Sequence, residues 1–448
     1  MDWKKLINSE RLRKSTIKVG QDPRNQFESD YGRLIFSPAI RRMHDKTQVF
    51  PLTTDDNIHT RLTHSMEVMT IGYSLGVKLC LSGAFMKHSK LKSDKIFRQI
   101  PIILKNSCLV HDIGNPPFGH FGETVIQDYF LKFFKKNEYK LKLTKAEKED
   151  FIHFDGNAQG FRVLTKLQIL NDLYGLNLTY STLGAFVKYP NFGRINDKRL
   201  ETKKRGIFQS EKSGFKTIFK ESGLLNKRTY LRHPLSYLME AADSICYNIM
   251  DMEDGLNKGL IDIDFLRDQL KEVKSIKSDI EKIFKSKSEY GDIDTKIANI
   301  RILLIQKLVD LASNNFIENI EGIEAGTYNK ELIEDDVNGL TKKLQNICRK
   351  EIFPAKEIIS LELKGHSVLQ GLLDFYCNLV FNPNKKYRSK AKLMISNSIL
   401  RCAFLENNLK ETDDLIELND YSKLRVIVDF ISGMTDQFAL NHYNHIRG

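Results

Sequence analysis

An all-α fold follows from three features of this 448-residue sequence. It holds only 10 prolines and 26 glycines. Long stretches repeat apolar residues three and four apart, the spacing that gives a helix one apolar face. No apolar run reaches the roughly 18 residues that a membrane span needs, so none is expected. The length allows a large buried core, arranged as two or three domains or as one helical domain with insertions. The six cysteines (Cys80, Cys108, Cys246, Cys348, Cys377, Cys402) are scattered and form no C-x-x-C pair. They read as reduced core residues. Residues 1–6 lack an apolar signal core, and a cytoplasmic location is expected. The net charge of +12 favours polyanionic partners, nucleotides or nucleic acid, although solubility alone also explains surface lysines.

Taken in order, residues 1–57 begin polar and become patterned near Tyr31. Ser37 followed by Pro38 predicts a capped helix start. Gln48 offers an amide to a ligand hydroxyl. Residues 58–80 predict a helix with Leu62, Met66, Met69 and Tyr73 as its apolar stripe. Arg61 and His64 share a face near its start, where the helix dipole keeps an imidazole neutral and fit to bind a metal. After a lysine-bearing connection, residues 101–113 predict a helix that ends its apolar run on His111-Asp112. A carboxylate there needs a cation or hydrogen bonds. Two prolines and two glycines then turn the chain to His120 and Glu123, three apart and so on one helical face.

Residues 123–135 read as helix and 135–150 as a solvated, charged excursion. Asp155-Gly156-Asn157 signals a turn. It opens an amphipathic helix, within 151–175, that carries Phe161, Leu164 and Leu167. Its first amides and the Asn157 side chain would be aimed at whatever lies beside it. The basic, glycine-bearing loop from Arg194 to Lys216 suits phosphate. Residues 233–255 predict the clearest helix, opened by His233-Pro234. Asp243, Tyr247 and Asp251 are four apart and line up beside its apolar stripe. An aspartate amid so much apolar surface again calls for a cation. Residues 260–350 predict helices whose core includes Ile297, Ile300, Leu304, Leu308 and Leu311. Residues 385–392 form a basic patch around Tyr387, and residues 426–436 set polar groups beside an apolar helix.

His64, His111, Asp112 and Asp243 form a mixed nitrogen and oxygen set, suited to a divalent ion with open positions. Their order resembles that of the HD superfamily of metal-dependent phosphohydrolases. More narrowly, the chain resembles the bacterial deoxyguanosine triphosphate triphosphohydrolases and their dNTP-hydrolysing relatives. The resemblance runs through Lys46-Thr47-Gln48-Val49-Phe50-Pro51-Leu52, Arg61-Leu62-Thr63-His64-Ser65, the stretch from His111 to Glu123, and Asp155-Gly156-Asn157-Ala158-Gln159. It continues through Lys204-Arg205-Gly206-Ile207-Phe208-Gln209-Ser210-Glu211, Glu240-Ala241-Ala242-Asp243 with Tyr247, and Ser432-Gly433-Met434-Thr435-Asp436.

The resemblance implies an HD-domain helical core with helical insertions and a helical carboxy-terminal region. The corresponding division is 1–57 contributing to the site, 58–255 as the phosphohydrolase core, and 256–448 for base recognition and oligomerisation. It implies cleavage of a dNTP at its α-phosphate by water, giving a deoxynucleoside and inorganic triphosphate. His64, His111, Asp112 and Asp243 fall on metal-binding positions, with manganese or magnesium as the ion. His120 falls on the catalytic histidine and Glu123 on its carboxylate partner. Gln48 and Tyr247 match sugar-contacting positions. Arg61, Asn157, Lys188, Tyr189 and Lys204 match phosphate-contacting ones, with Lys203 and Arg205 able to stand in for Lys204; Asp251 is a further candidate for the same cavity. The family also implies a homo-oligomer, often a hexamer, and single-stranded DNA or a dNTP as effector. Competing readings are an HD phosphodiesterase or nuclease on another nucleotide, and a basic nucleic-acid-binding regulatory protein.

Overall fold

The computed structural model describes residues 1–14, 22–53, 55–91, 93–136, 139–168, 172–285 and 292–447. Among them the fold is helical throughout, apart from one antiparallel ribbon of Leu225–Asn226 with Thr229–Tyr230. The expected all-α class holds. No single described helix is long and apolar enough to cross a membrane.

Three helices build the centre: Arg61–Leu81, Ile100–Leu109 and Pro234–Asn257. Arg61–Leu81 starts where Thr60 and Thr63 exchange side-chain and backbone hydrogen bonds, a capping box that satisfies two orphan donors. Its buried face differs from the expected one. His64, Val68, Ile71, Leu75 and Leu79 point inward, whereas Met66 and Tyr73 are exposed. The reason lies in Gly72 and Gly76, which let a neighbouring helix approach. A Cβ on Gly72 would meet Cys108 Sγ at 2.3 Å, and one on Gly76 would meet Pro101 Cα at 2.7 Å. Bare backbone, not bulk, chose the face.

Two further boundaries differ from the reading of the sequence. Ile100–Leu109 stops before His111 and Asp112, which lie in a turn closed by Ile113 N–H to the Val110 carbonyl. The next helix begins at Gly119 and runs to Lys136, four residues earlier than expected. Gly119 has φ +58°, a left-handed conformation that reverses the chain at little steric cost. Ser37 and Pro38 open Pro38–Arg42 as expected. His233 caps Pro234–Asn257 by accepting from Leu235 N–H at 3.1 Å. All six cysteines are free and buried, and Ile300, Leu304 and Leu308 are core.

A second apolar cluster joins Phe118, Val125, Ile126 and Phe130 to Val368, Leu369 and Leu372 of Lys356–Val380 and to Ile427 and Ile431 of Asp420–Ser432. A buried ionic network reinforces that joint. Arg162 donates to Asp429 at 2.8 Å and to Glu211 at 2.7 Å, and pairs with Glu406 at 3.4 Å. Gln159 and Arg425 occupy the other Asp429 oxygen. Desolvating three carboxylates is tolerable only while the guanidinium answers them. Arg162→Ala is therefore expected to destabilise the protein by about 3–5 kcal/mol, read as a lowered urea midpoint at an unchanged denaturant slope.

Candidate active site

The Arg61–Leu81 helix, the turn after Ile100–Leu109 and the Pro234–Asn257 helix each deliver one side chain to a common point. His64 Nε2 and His111 Nε2 both lie 3.2 Å from Asp243 Oδ1. One potential ligand atom from each of the three residues falls within 4.8 Å of the others. The His111 ring is oriented by its other nitrogen, which sits 2.8 Å from the Cys108 carbonyl. A carbonyl can only accept, so Nδ1 carries the proton and Nε2 keeps its lone pair. That Nε2 is buried and has no hydrogen-bond partner. Two electron-rich atoms facing each other at this separation repel unless a cation lies between them, so the donor set fits a divalent metal ion.

The carboxylates that would attract a cation to this point attract a proton to it as well. Burial opposes charge on His111, yet Asp112 and Asp243 outweigh it and raise its pKa. Burial likewise works against ionised Asp243, and Lys188 with His111 overcomes it, holding the carboxyl well below its ordinary range. Lys188 Nζ donates to Asp243 Oδ2 at 2.6 Å. Asp243 thus spends one oxygen on the imidazoles and one on an ammonium.

Asp112 stands at the rim of this cluster. Its carboxylate forms an ion pair with Arg61, and Oδ2 lies 3.5 Å from His111 Nε2. Beyond Arg61, the chain reversal at Gly119 brings up His120. Its Nδ1 is 2.9 Å from Glu123 Oε2, while Glu123 Oε1 accepts from Gly156 N–H at 2.6 Å. The Glu123 side chain is buried, but that of His120 is 74% exposed. The Glu123 charge raises the His120 pKa, with Arg61 and Lys204 pulling the other way.

Asp155 caps the short Gly156–Arg162 helix and gathers two expected phosphate-binding residues. Asn157 Nδ2 donates to its Oδ1 at 2.8 Å, and Lys204 Nζ lies 3.0 Å from its Oδ2. The neighbours of Lys204 play other parts. Lys203 is exposed, and Arg205 is buried in ion pairs with Glu149 and Asp150. Tyr189 is buried beside Lys188, and burial pushes its hydroxyl up to about 12.

One turn along the Asp243 helix, the Tyr247 ring leans on Phe353, centroids 6.0 Å apart. A further turn on, Asp251 is buried with Oδ2 unpartnered. Burial and the Asp254 charge raise its pKa well above the carboxylate range. Its surroundings thus favour the protonated form, which can donate as well as accept. Gln48 Oε1 is also buried without a partner.

Asp155 was read only as part of a turn, and His59 and Phe353 escaped the reading of the sequence. Asp155 was signalled by the N-cap pattern before Gly156. His59, with Nδ1 2.7 Å from Asp254, and Phe353 gave no local signal.

A model described as "Phosphohydrolase-associated domain" matches residues 333–445. Proteins named deoxyguanosinetriphosphate triphosphohydrolase-like match over the whole chain. One from Listeria innocua is 37% identical over 478 residues, covering 100% of both chains. Those from Synechocystis and Pseudomonas aeruginosa are each 34% identical, covering 100% of this chain and 99% of theirs.

The geometry around His120 makes a prediction independent of any reaction. The wild-type imidazole should titrate above 6.5, and Glu123→Gln should lower its pKa by removing the charge that favours the imidazolium. Histidine ring NMR signals followed against pH read this directly; an unmoved pKa contradicts it.

Proposed function

The chain belongs to the deoxyguanosinetriphosphate triphosphohydrolase-like family of the HD superfamily, and from that premise we propose that it hydrolyses dGTP, with other dNTPs as further candidates, to a deoxynucleoside and inorganic triphosphate. Membership makes it a phosphohydrolase of a family that works with a divalent metal; the substrate and the manganese or magnesium ion are the proposal. The observation that carries it is the convergence of His64, His111 and Asp243 beside the His120–Glu123 pair.

A divalent ion held by those three residues, with Asp112 next to them, supplies a Lewis acid for a phosphoryl oxygen and lowers the pKa of water. The chain's own groups do the remaining work. Lys188, Arg61, Asn157 and Lys204 answer the triphosphate charge with charge-assisted and amide hydrogen bonds. His120 moves a proton at Nε2, because Nδ1 is engaged by Glu123. Such acid–base help contributes roughly 10²–10⁴ in rate. Tyr247 closes the space against a 2′-hydroxyl, which would lose its hydration with nothing in return. The unpartnered Gln48 and Asp251 groups are matched to sugar hydroxyls.

Incubation of the purified protein with each dNTP and Mn²⁺ or Mg²⁺ should release inorganic triphosphate and the deoxynucleoside. Pyrophosphate or a monophosphate as product overturns the reading in favour of a different nucleotide hydrolase. Asp243→Asn should bring turnover to background while the fold persists by circular dichroism. Tyr247→Ala should narrow the preference for dGTP over GTP by about tenfold or more in kcat/KM.

A further inference from the structure

The turn from Asn115 to Phe118 carries the chain from the metal-binding pair to His120. It is poorly equipped to hold itself. Pro116 and Pro117 have no N–H, and Phe118 sits at φ +62°, a conformation unfavourable for a bulky side chain. Beyond two local bonds, Asn115 N–H to the Asp112 carbonyl and Gly119 N–H to the Pro116 carbonyl, what fixes it comes from elsewhere in the sequence. Phe118 N–H donates to Asp436 Oδ1 at 3.0 Å, and Thr47 N–H donates to Asp436 Oδ2 at 3.1 Å. The Lys46 ammonium donates to the Asn115 carbonyl at 2.5 Å and to the Ser432 carbonyl at 2.8 Å. Lys46, Asn115, Phe118 and Asp436 are all buried. The Phe118 ring also packs on Gly365, where a Cβ would come within 2.6 Å of it.

We infer that Asp436, working with Lys46, is a positioning residue for His120. It ties the left-handed Phe118 in place and thereby sets where the Gly119–Lys136 helix begins. His120 and Glu123 lie in the first turns of that helix, so their placement follows from the tie. Asp436 and Ser432 belong to the phosphohydrolase-associated region, residues 333–445. That region therefore builds the catalytic turn from behind, 318 residues away from Phe118 in sequence. The activity readout of this inference rests on the proposed hydrolysis; its structural readouts do not.

The test compares wild type, Asp436→Ala and Asp436→Asn on the best dNTP with Mn²⁺. A displaced catalytic group costs about 10²-fold, so Asp436→Ala should lose about that in kcat while KM stays within about twofold. Asp436→Asn keeps the volume and one acceptor and should fall between. By hydrogen exchange, the Phe118 and Thr47 amides should lose protection while those of Arg61–Leu81 keep theirs. Wild-type kcat together with wild-type Phe118 exchange overturns the inference. So does a loss of protection spread evenly over the molecule, which marks a merely structural role. If Asp436→Ala does not fold, Asp436→Asn and Lys46→Met are judged by the same criteria. If the wild type cleaves no dNTP, the hydrolysis reading fails by itself. The inference is then decided by His120, whose pKa should fall towards 6.5 in Asp436→Asn as its pairing with Glu123 loosens; an unchanged pKa and unchanged Phe118 exchange overturn it.

Discussion

The structure depends on keeping one carboxylate charged inside an apolar helix. Asp243, itself half-buried, sits among Ala242, Ile245 and Cys246, all buried, where an unanswered charge is disfavoured. Its charge survives because Lys188 holds one oxygen, while the other faces two imidazole nitrogens with which it would share a cation. Each of those partners comes from a different segment. The need to answer Asp243 thus dictates how the Arg61–Leu81 helix, the turn at His111 and the segment at Lys188 approach Pro234–Asn257. A partly answered network of this kind is worse than an apolar core, so the convergence of His64, His111 and Asp243 and the packing of the central helices stand or fall together.

The same principle sets the role of the carboxy-terminal region. It meets the central helices through an apolar cluster, which gives adhesion without direction. Direction comes from buried polar contacts: Arg162 against Asp429, Glu211 and Glu406, and Lys46 and Asp436 against backbone groups. The two joints differ in kind. The first satisfies charge with charge and fixes the Gly156–Arg162 helix. The second satisfies backbone groups that the two prolines and the left-handed Phe118 would leave without partners. Burial pulls the Lys46 pKa down to about 7, and its hydrogen-bond partners are two neutral carbonyls rather than carboxylates.

Much of this was legible in the sequence, for identifiable reasons. Composition and periodicity carried the all-α class. Side chains whose chemistry is costly to bury, His111-Asp112 and Asp243, stood out against apolar surroundings; His111 and Asp243 share one point with His64, while Asp112 stands at its rim, paired with Arg61. The inward face of Arg61–Leu81 was misread because periodicity weighs large residues, whereas Gly72 and Gly76 admitted the partner helix. The helix end at Leu109 was misplaced because an apolar run does not reveal where hydrogen bonding changes to a tight turn. The Lys46–Asp436 tie was invisible for another reason. Its partners are main-chain groups, and any residue offers those, so no side-chain pattern marks them.

The exposure of the His120–Glu123 pair shows how local order and access are divided. Glu123 is buried and fixed on both oxygens, by His120 and by Gly156 N–H. His120 is held at one nitrogen and open to solvent otherwise. A carboxylate that must orient a ring needs rigidity, and a ring that must exchange protons with a substrate needs access. Gly156 opens the helix capped by Asp155, and Asp155 also holds Asn157 and Lys204. The backbone that immobilises the carboxylate is therefore the backbone that sets out Asn157 and Lys204, the two side chains proposed to meet phosphate. A shift in that turn would move the proton-handling group and the charge-binding groups as one unit, which keeps their mutual geometry intact even where the imidazole itself faces water.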